Sequence, residues 1–374
     1  MLKGGKYVRW ASCGTLPWLL AIIGTCVGCS DRSRTGDNYT RLSSETMGTT
    51  YHITYLDSAG RDLQQSVDSI LDVINRSMST YLEGSIIWRV NESDSNVFYV
   101  DENFFNVFVR AKDIYNESRG AFNPAVMPLV NYWGFGPSDE SDASGHSRSV
   151  RSLPATDSQK AEIDSLLALI DFSRFTIARV DVPAGRRYRL QKPLSHAQLD
   201  FSAIAKGYAV DEVFQFFESK GVADVMIEIG GEVRAGGNYD GKPWRIGIET
   251  PSTQVPGSYL QKVIELDNMS VATSGNYRNF KRVGEVVISH TINPQTGMPE
   301  RNDLLSASVI SRDCMTADAL ATACMVLGYQ QAMELIESIL DAEAFFIHLQ
   351  GDSVRTASTS GFSRFVPHDT KPSV

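Results

Sequence analysis

Between Asp224 and Pro294 the chain runs through "DVMIEIGGEVRAGG", "PWRIGIETP", "LQKVIELDNMSVATSG" and "EVVISHTINP", short segments rich in β-branched residues and broken by glycine, proline and asparagine. This pattern reads as successive strands and turns. Upstream, "TYHITYL" (Thr50 to Leu56) alternates as a strand, and Leu63 to Ser79 carries apolar residues at helical spacing. Further helices are predicted from Glu102 to a stop at Gly120, over Gln159–Leu169 and Ala203–Lys220, from Thr316 to Leu327 with Gly328 closing it, and over "AMELIESILD". "SRFTIARV" and "RRYRLQ" add strand-like pieces. No internal repeat and no boundary cue interrupts residues 45–365. Strands joined by both hairpins and helices predict a single α+β domain with a mainly antiparallel sheet and packed helices.

The first 29 residues are separate in composition. Lys3, Lys6 and Arg9 precede the apolar "LPWLLAIIGTCVGCS", the pattern of an export signal. Val27-Gly28-Cys29 resembles the bacterial lipobox, in which the cysteine is lipidated and becomes the first mature residue, although Cys26 stands where leucine is usual. The alternative is an uncleaved anchor, since the about 19 residues from Trp10 to Gly28 are long enough to span a bilayer. Either reading places the body outside the cytoplasm, and the first predicts a bacterial membrane lipoprotein facing the periplasm. Residues 30–44 read as a polar tether, 137–158 as a mobile surface insertion that contains a solvated His146, and 366–374 as a tail. With the signal removed, Cys314 and Cys324 remain, and about 15 Å of helix between them excludes a disulfide. The formal charge of −9 argues against a nucleic-acid surface. Any phosphate must therefore be held by a metal or by backbone N–H groups.

Four places could carry chemistry. In "HTINPQTGMP" (His290 to Pro299) proline and glycine stiffen a tight turn with a histidine at its mouth, either pinned for chemistry or simply ending a strand. In "DCMTADALATACMVLG", Asp318 and Thr322 lie four apart on one helical face. Asp318 is there either a first-turn cap or, with the Thr322 hydroxyl, part of a hard-metal site. "LDFSAIAKGYAVDEV" gathers Asp200, which ends an apparent strand, and Lys206 at the start of a helix, either an anion site or a surface ion pair. "GAFNPAVMPLVNYWGFG" offers aromatic residues and glycines, either core and turns or a wall for a planar ring.

Taken together, "MGT", "MSTY" with "RVN", "GAFN" through "WGFG", "LDFSAIAKGYAVD", "IEIGGEVRAGG", "ATSGNY", "HTINPQTG" and "TADALATA" resemble, in order, the ApbE-type FAD:protein FMN transferases from about Met47 to Gly328. The resemblance implies an ApbE-like, T-fold-like domain. It implies FAD as substrate, Mg²⁺ as cofactor, and transfer of FMN through a phosphoester to Ser or Thr of an acceptor flavoprotein, a subunit of a membrane redox complex, with release of AMP. Carried over by position, Asp318 and Thr322 would ligate the metal through side chains and Ala203 through its carbonyl. Met47, Tyr81, Ala121, Phe122, Asn123, Asp200, Lys206 and Ile292 would line the FAD site, and His290 would be the base. Asn123 and Asn293 stand where the family has aspartate. Two alternatives share these motifs: an Mg²⁺-dependent FAD pyrophosphatase giving FMN and AMP, and a lipid-anchored flavin-binding protein without chemistry.

Overall fold

The computed structural model describes residues 39–137, 156–182, 185–249, 260–275, 280–283, 286–351 and 353–367. The expected signal segment with Cys29, residues 30–38 of the tether, most of the insertion with its His146 and the end of the tail lie outside them. Among the described residues no helix is long and apolar enough to cross a membrane.

The centre of the domain is an eight-stranded sheet in the order Thr40–Thr46, Thr49–Tyr55, Val225–Ile229, Glu232–Gly236, Met269–Gly275, Leu304–Ser311, Glu343–Gln350 and Ser353–Ser358. Every neighbouring pair is antiparallel, as expected. Alternation sends Val225, Ile227, Ile229, Ala307, Val309, Ala344 and Phe346 to one face, where the helices pack. Val233, Ala235, Ile310, Phe345 and Ile347 point to the other face and meet Trp244, Ile248, Ile264 and Leu266 of a three-stranded sheet built from Asn238–Tyr239, Lys242–Glu249 and Leu260–Leu266. A third sheet joins Val97–Val100, Gly185–Gln191 and Thr176–Val182.

Two helices position the cleft described below. The Cys314–Leu327 helix is capped by Asp313, whose carboxylate accepts the Thr316 N–H at 2.8 Å, and ends at Gly328. Its alanine-rich sequence is buried on nearly every side, the pattern of a helix enclosed by a core. The Ala205–Ser219 helix crosses its first turn at Gly207. A Cβ there would lie 2.3 Å from the Cys314 carbonyl oxygen, so only glycine lets the backbones approach this closely. One turn further on, Asp211 accepts the Cys314 and Met315 N–H groups, each at 2.9 Å, and pairs with Arg234 at 2.5 Å. A carboxylate from one helix thereby satisfies the free donors at the start of the next.

Three sequence expectations change. Residues 40–44, assigned to the tether, belong to the edge strand Thr40–Thr46. Only Leu42 of that strand is buried, so no apolar alternation announces it. Asp200 does not end a strand: Leu199 is held instead by the Asn91 side chain, whose amide donates to its carbonyl and whose oxygen accepts its N–H, both at 2.8 Å. Asp318 is not a cap, because the helix begins two residues earlier and Asp313 performs that task. Cys314 and Cys324 are both free and buried on one helix.

Gly207→Ala should separate the two helices and lower stability by about 1–3 kcal/mol, the usual cost of overpacking. Urea denaturation reads this as a lower midpoint at unchanged slope. An unchanged midpoint would mean that the helices are not held at this distance.

Candidate active site

A cleft of about 1160 Å³ opens between the helices and the small sheet. Tyr81, Ala121, Phe122, Asn123, Asp200, Ala203, Lys206, His290, Ile292, Asp318 and Thr322 all line it. Met47 does not: it takes a positive φ of 48° with Gly48 in the turn between the first two strands, and its side chain packs against the main core. Thr49 and Thr50, just beyond that turn, line the cleft instead.

The segments that supply these residues are far apart in sequence but bonded to one another. Gly207 N–H donates to Asp318 Oδ2 at 3.0 Å. The hydroxyls of Ser274 and Thr322 lie 3.3 Å apart. Asp200 N–H donates to the Pro124 carbonyl at 2.7 Å, Trp133 Nε1 to the Gly297 carbonyl at 2.8 Å, and Gly230 N–H to the Thr50 carbonyl at 3.1 Å. Each contact ties together segments that carry cleft-lining residues.

The turn after His290 is rigid for identifiable reasons. Ile292 bridges Pro299, and Asn293 Oδ1 accepts the N–H groups of Gln295 and Thr296 at 2.8 and 3.3 Å. Gly297 has a φ of 70°, and a Cβ there would lie 2.4 Å from Ile163 Cγ2. The turn is thus clamped against the Asp157–Leu167 helix, with half-buried His290 at its mouth facing the cleft. Asn293 Nδ2 donates to Glu300 Oε2 at 2.7 Å, a bond that an aspartate could not make. Asn123 is likewise engaged on both sides, donating to the Ile170 carbonyl and accepting the Ala125 N–H, each at 2.9 Å. Its side chain therefore shapes the "GAFNP" loop that presents Ala121 and Phe122.

At the floor Lys206 Nζ lies 3.3 Å from Glu232 Oε1 and 3.9 Å from Asp318 Oδ2. Glu232 and Asp318 are almost fully buried. Burial pushes the Glu232 carboxyl up to about 8, against the pull of the Lys206 ammonium and with the push of Asp318. Burial likewise raises Asp318, opposed by Lys206 and by the Gly207 N–H. For Lys206 burial acts downward, but the two carboxylates more than offset it and its ammonium is stabilised. Glu232 was not among the expected site residues, although a carboxylate directly after the Gly230–Gly231 turn was its available signal. At the rim, His52 Nδ1 meets Glu228 Oε2 at 2.8 Å, a pair that also lines the cleft and was not expected.

Asp318, with its carboxylate, and Thr322 and Ser274, with their hydroxyls, line one cleft, alongside Ala203, whose carbonyl is the expected further oxygen. Such hard oxygen donors suit Mg²⁺, which completes its shell with water and substrate phosphate. Among the described residues no group of three or more His, Cys, Asp or Glu gathers at a metal-binding distance. Too few to fill such a shell alone, these donors fit a cation held jointly by protein and substrate.

A model of the ApbE family matches residues 47–346 of this chain. The chain is 35% identical over 357 residues to the FAD:protein FMN transferase of Vibrio cholerae serotype O1, covering 93% of this chain and 98% of that one. It is 34% identical over 331 residues to the FAD:protein FMN transferase of Haemophilus influenzae, covering 86% and 90%. Among solved structures it is similar to the flavin transferase ApbE from Vibrio cholerae, with a TM-score of 0.73 and 35% identity over 88% of this chain and 99% of that one. It is also similar to the Pseudomonas stutzeri flavinyl transferase ApbE in its apo form, with a TM-score of 0.72 and 32% identity over 88% and 97%.

The Asn293–Glu300 bond yields a test. Asn293→Asp should set two carboxylates against each other and cost about 1 kcal/mol, both groups being only half-buried. Glu300→Gln in that background should recover most of the loss. Denaturation of the two single variants and the double variant measures the coupling; additive losses would show that the side chains do not interact.

Proposed function

The chain belongs to the ApbE family, and from that premise we propose that it transfers the FMN moiety of FAD to a Ser or Thr of an acceptor flavoprotein, releasing AMP. The observation that carries this reading is the convergence of the motif residues from separate segments on one cleft whose floor holds Lys206 between Asp318 and Glu232. FAD is the substrate, and its size suits a large cleft with both apolar and charged walls.

The pyrophosphate of FAD carries two negative charges and is a poor electrophile until they are offset. Lys206 supplies one positive charge at the floor, close to the N-terminus of the Ala205–Ser219 helix, where backbone N–H groups favour anions. Mg²⁺, held by Asp318, Thr322 and the Ala203 carbonyl, would offset further charge and polarise the phosphoryl oxygens. Phe122 and Tyr81 both line the cleft, and a flavin ring would rest against them. The acceptor hydroxyl attacks the FMN-side phosphorus, the P–O bond to AMP breaks, and His290 takes the hydroxyl proton. The clamped turn at Gly297 keeps the imidazole from drifting, which matters because proton transfer requires about 3 Å between the partners.

For the full chain we extend the reading to export and lipidation at Cys29, which would place the cleft in the periplasm beside membrane-bound redox acceptors. Cys29→Ala should move the protein from the membrane fraction to the soluble one and leave transfer in solution unchanged; retention in the membrane would point to an uncleaved anchor.

The direct test is mass spectrometry of a candidate acceptor flavoprotein after incubation with this protein, FAD and Mg²⁺. Acceptor mass should rise by one FMN phosphoester, with one AMP released for each. Free FMN and AMP beside an unmodified acceptor would mean FAD hydrolysis, and intact FAD would mean binding alone. His290→Asn should bind FAD nearly as well but slow transfer by about 10²–10⁴ and lose the acidic limb of the rate profile. Unchanged rate and profile would remove His290 from the role of base.

A further inference from the structure

One buried carboxylate oxygen in the cleft has no partner. Glu232 opens the Glu232–Gly236 strand directly after the Gly230–Gly231 turn and is only 5% exposed. Its Oε1 faces Lys206 at 3.3 Å, while Oε2 is buried without a hydrogen-bond partner among the described residues. An acceptor withdrawn from water is costly to leave unsatisfied, and native structures keep one where a water, an ion or a ligand completes it.

The turn leaves Glu232 little room to move elsewhere. Its residue pairs with Ile229 across the hairpin, and Gly230 is held by its N–H bond to the Thr50 carbonyl at 3.1 Å. A Cβ at Gly230 would lie 2.8 Å from the Thr49 side chain, so the loop is packed tightly against the neighbouring strand. The charges also leave a remainder. With Asp318, Glu232 and Lys206 all ionised, two negative groups face one positive group, and no other cation pairs with Glu232 among the described residues.

We infer that Glu232 is a further residue of the cation site: its unpartnered Oε2 faces the divalent cation held by Asp318 and Thr322, directly or through one of the cation's waters. The inference rests on the cation dependence proposed above. It makes the site one of two carboxylates rather than one. It also gives Lys206 a second task, because in the cation-free protein its ammonium lies between both carboxylates and offsets their charge.

The test is Mn²⁺ binding to the full chain, followed by electron paramagnetic resonance without FAD or acceptor, with Mg²⁺ as competitor. Glu232→Gln keeps the shape and removes the charge, and should weaken Mn²⁺ binding about 10–100-fold, the range seen when groups supporting a metal ligand are lost. Asp318→Asn should weaken it at least as much. If Glu232→Gln binds within twofold of wild type while Asp318→Asn does not, Glu232 serves Lys206 alone; the inference falls and the transferase reading stands. If the wild type binds no Mn²⁺ either alone or with FAD added, the inference and the proposed cation dependence fall together. A mutation-free reading covers the case in which the glutamine variant does not fold. In wild-type protein labelled with ¹³C at glutamate carboxyls, electron–nuclear double resonance of bound Mn²⁺ should show a glutamate ¹³C coupling, and its absence overturns the inference.

Discussion

The contact on which the site depends is the close approach of two helices at Gly207. Without a side chain there, the backbone of the Ala205–Ser219 helix comes near enough to the start of the Cys314–Leu327 helix for the Gly207 N–H to reach Asp318 and for Asp211 to take up the Cys314 and Met315 N–H groups. That approach sets Lys206, one residue before the glycine, opposite Asp318. A helix pair separated by one more methyl group would leave the lysine and the aspartate without a shared floor. The surrounding sheet then adds Glu232 from a hairpin turn and Ser274 from the neighbouring strand.

This arrangement explains how a chain of net charge −9 handles a dianion. At the floor of the cleft one lysine lies between two buried carboxylates, next to a helix N-terminus and to oxygen donors suited to a hard cation. Because that floor is shielded from water, each charge there acts more strongly than a surface charge would.

Much of the fold was legible in the sequence because strands such as Val225–Ile229 alternate and the long helices carry their own stops, such as Gly328 after Leu327. The edge strand Thr40–Thr46 was not, because a polar strand with one buried residue carries no period-two signal. The strand Leu304–Ser311 was also missed: it is buried on both faces and therefore does not alternate. Segments that line the cleft were legible where they carry a local signal, the stiff turn after His290 and the helix start at Lys206. Met47 shows the limit, since its motif identifies a hairpin turn whose threonines, rather than its methionine, line the cleft. Glu232 escaped for a different reason: its significance comes from a lysine and an aspartate distant in sequence, and only their meeting in space exposes an oxygen without a partner.

The most direct test of the cleft as the flavin-nucleotide site is a crystal structure of the full chain with FAD and Mn²⁺, with the cation located by its anomalous scattering. The pyrophosphate should lie against Lys206 with the Mn²⁺ peak beside Asp318 and Thr322, and the flavin ring should lie along the wall formed by Phe122 and Tyr81. A pyrophosphate bound elsewhere, with the Lys206–Glu232 pair undisturbed and no anomalous peak near Asp318, would contradict it.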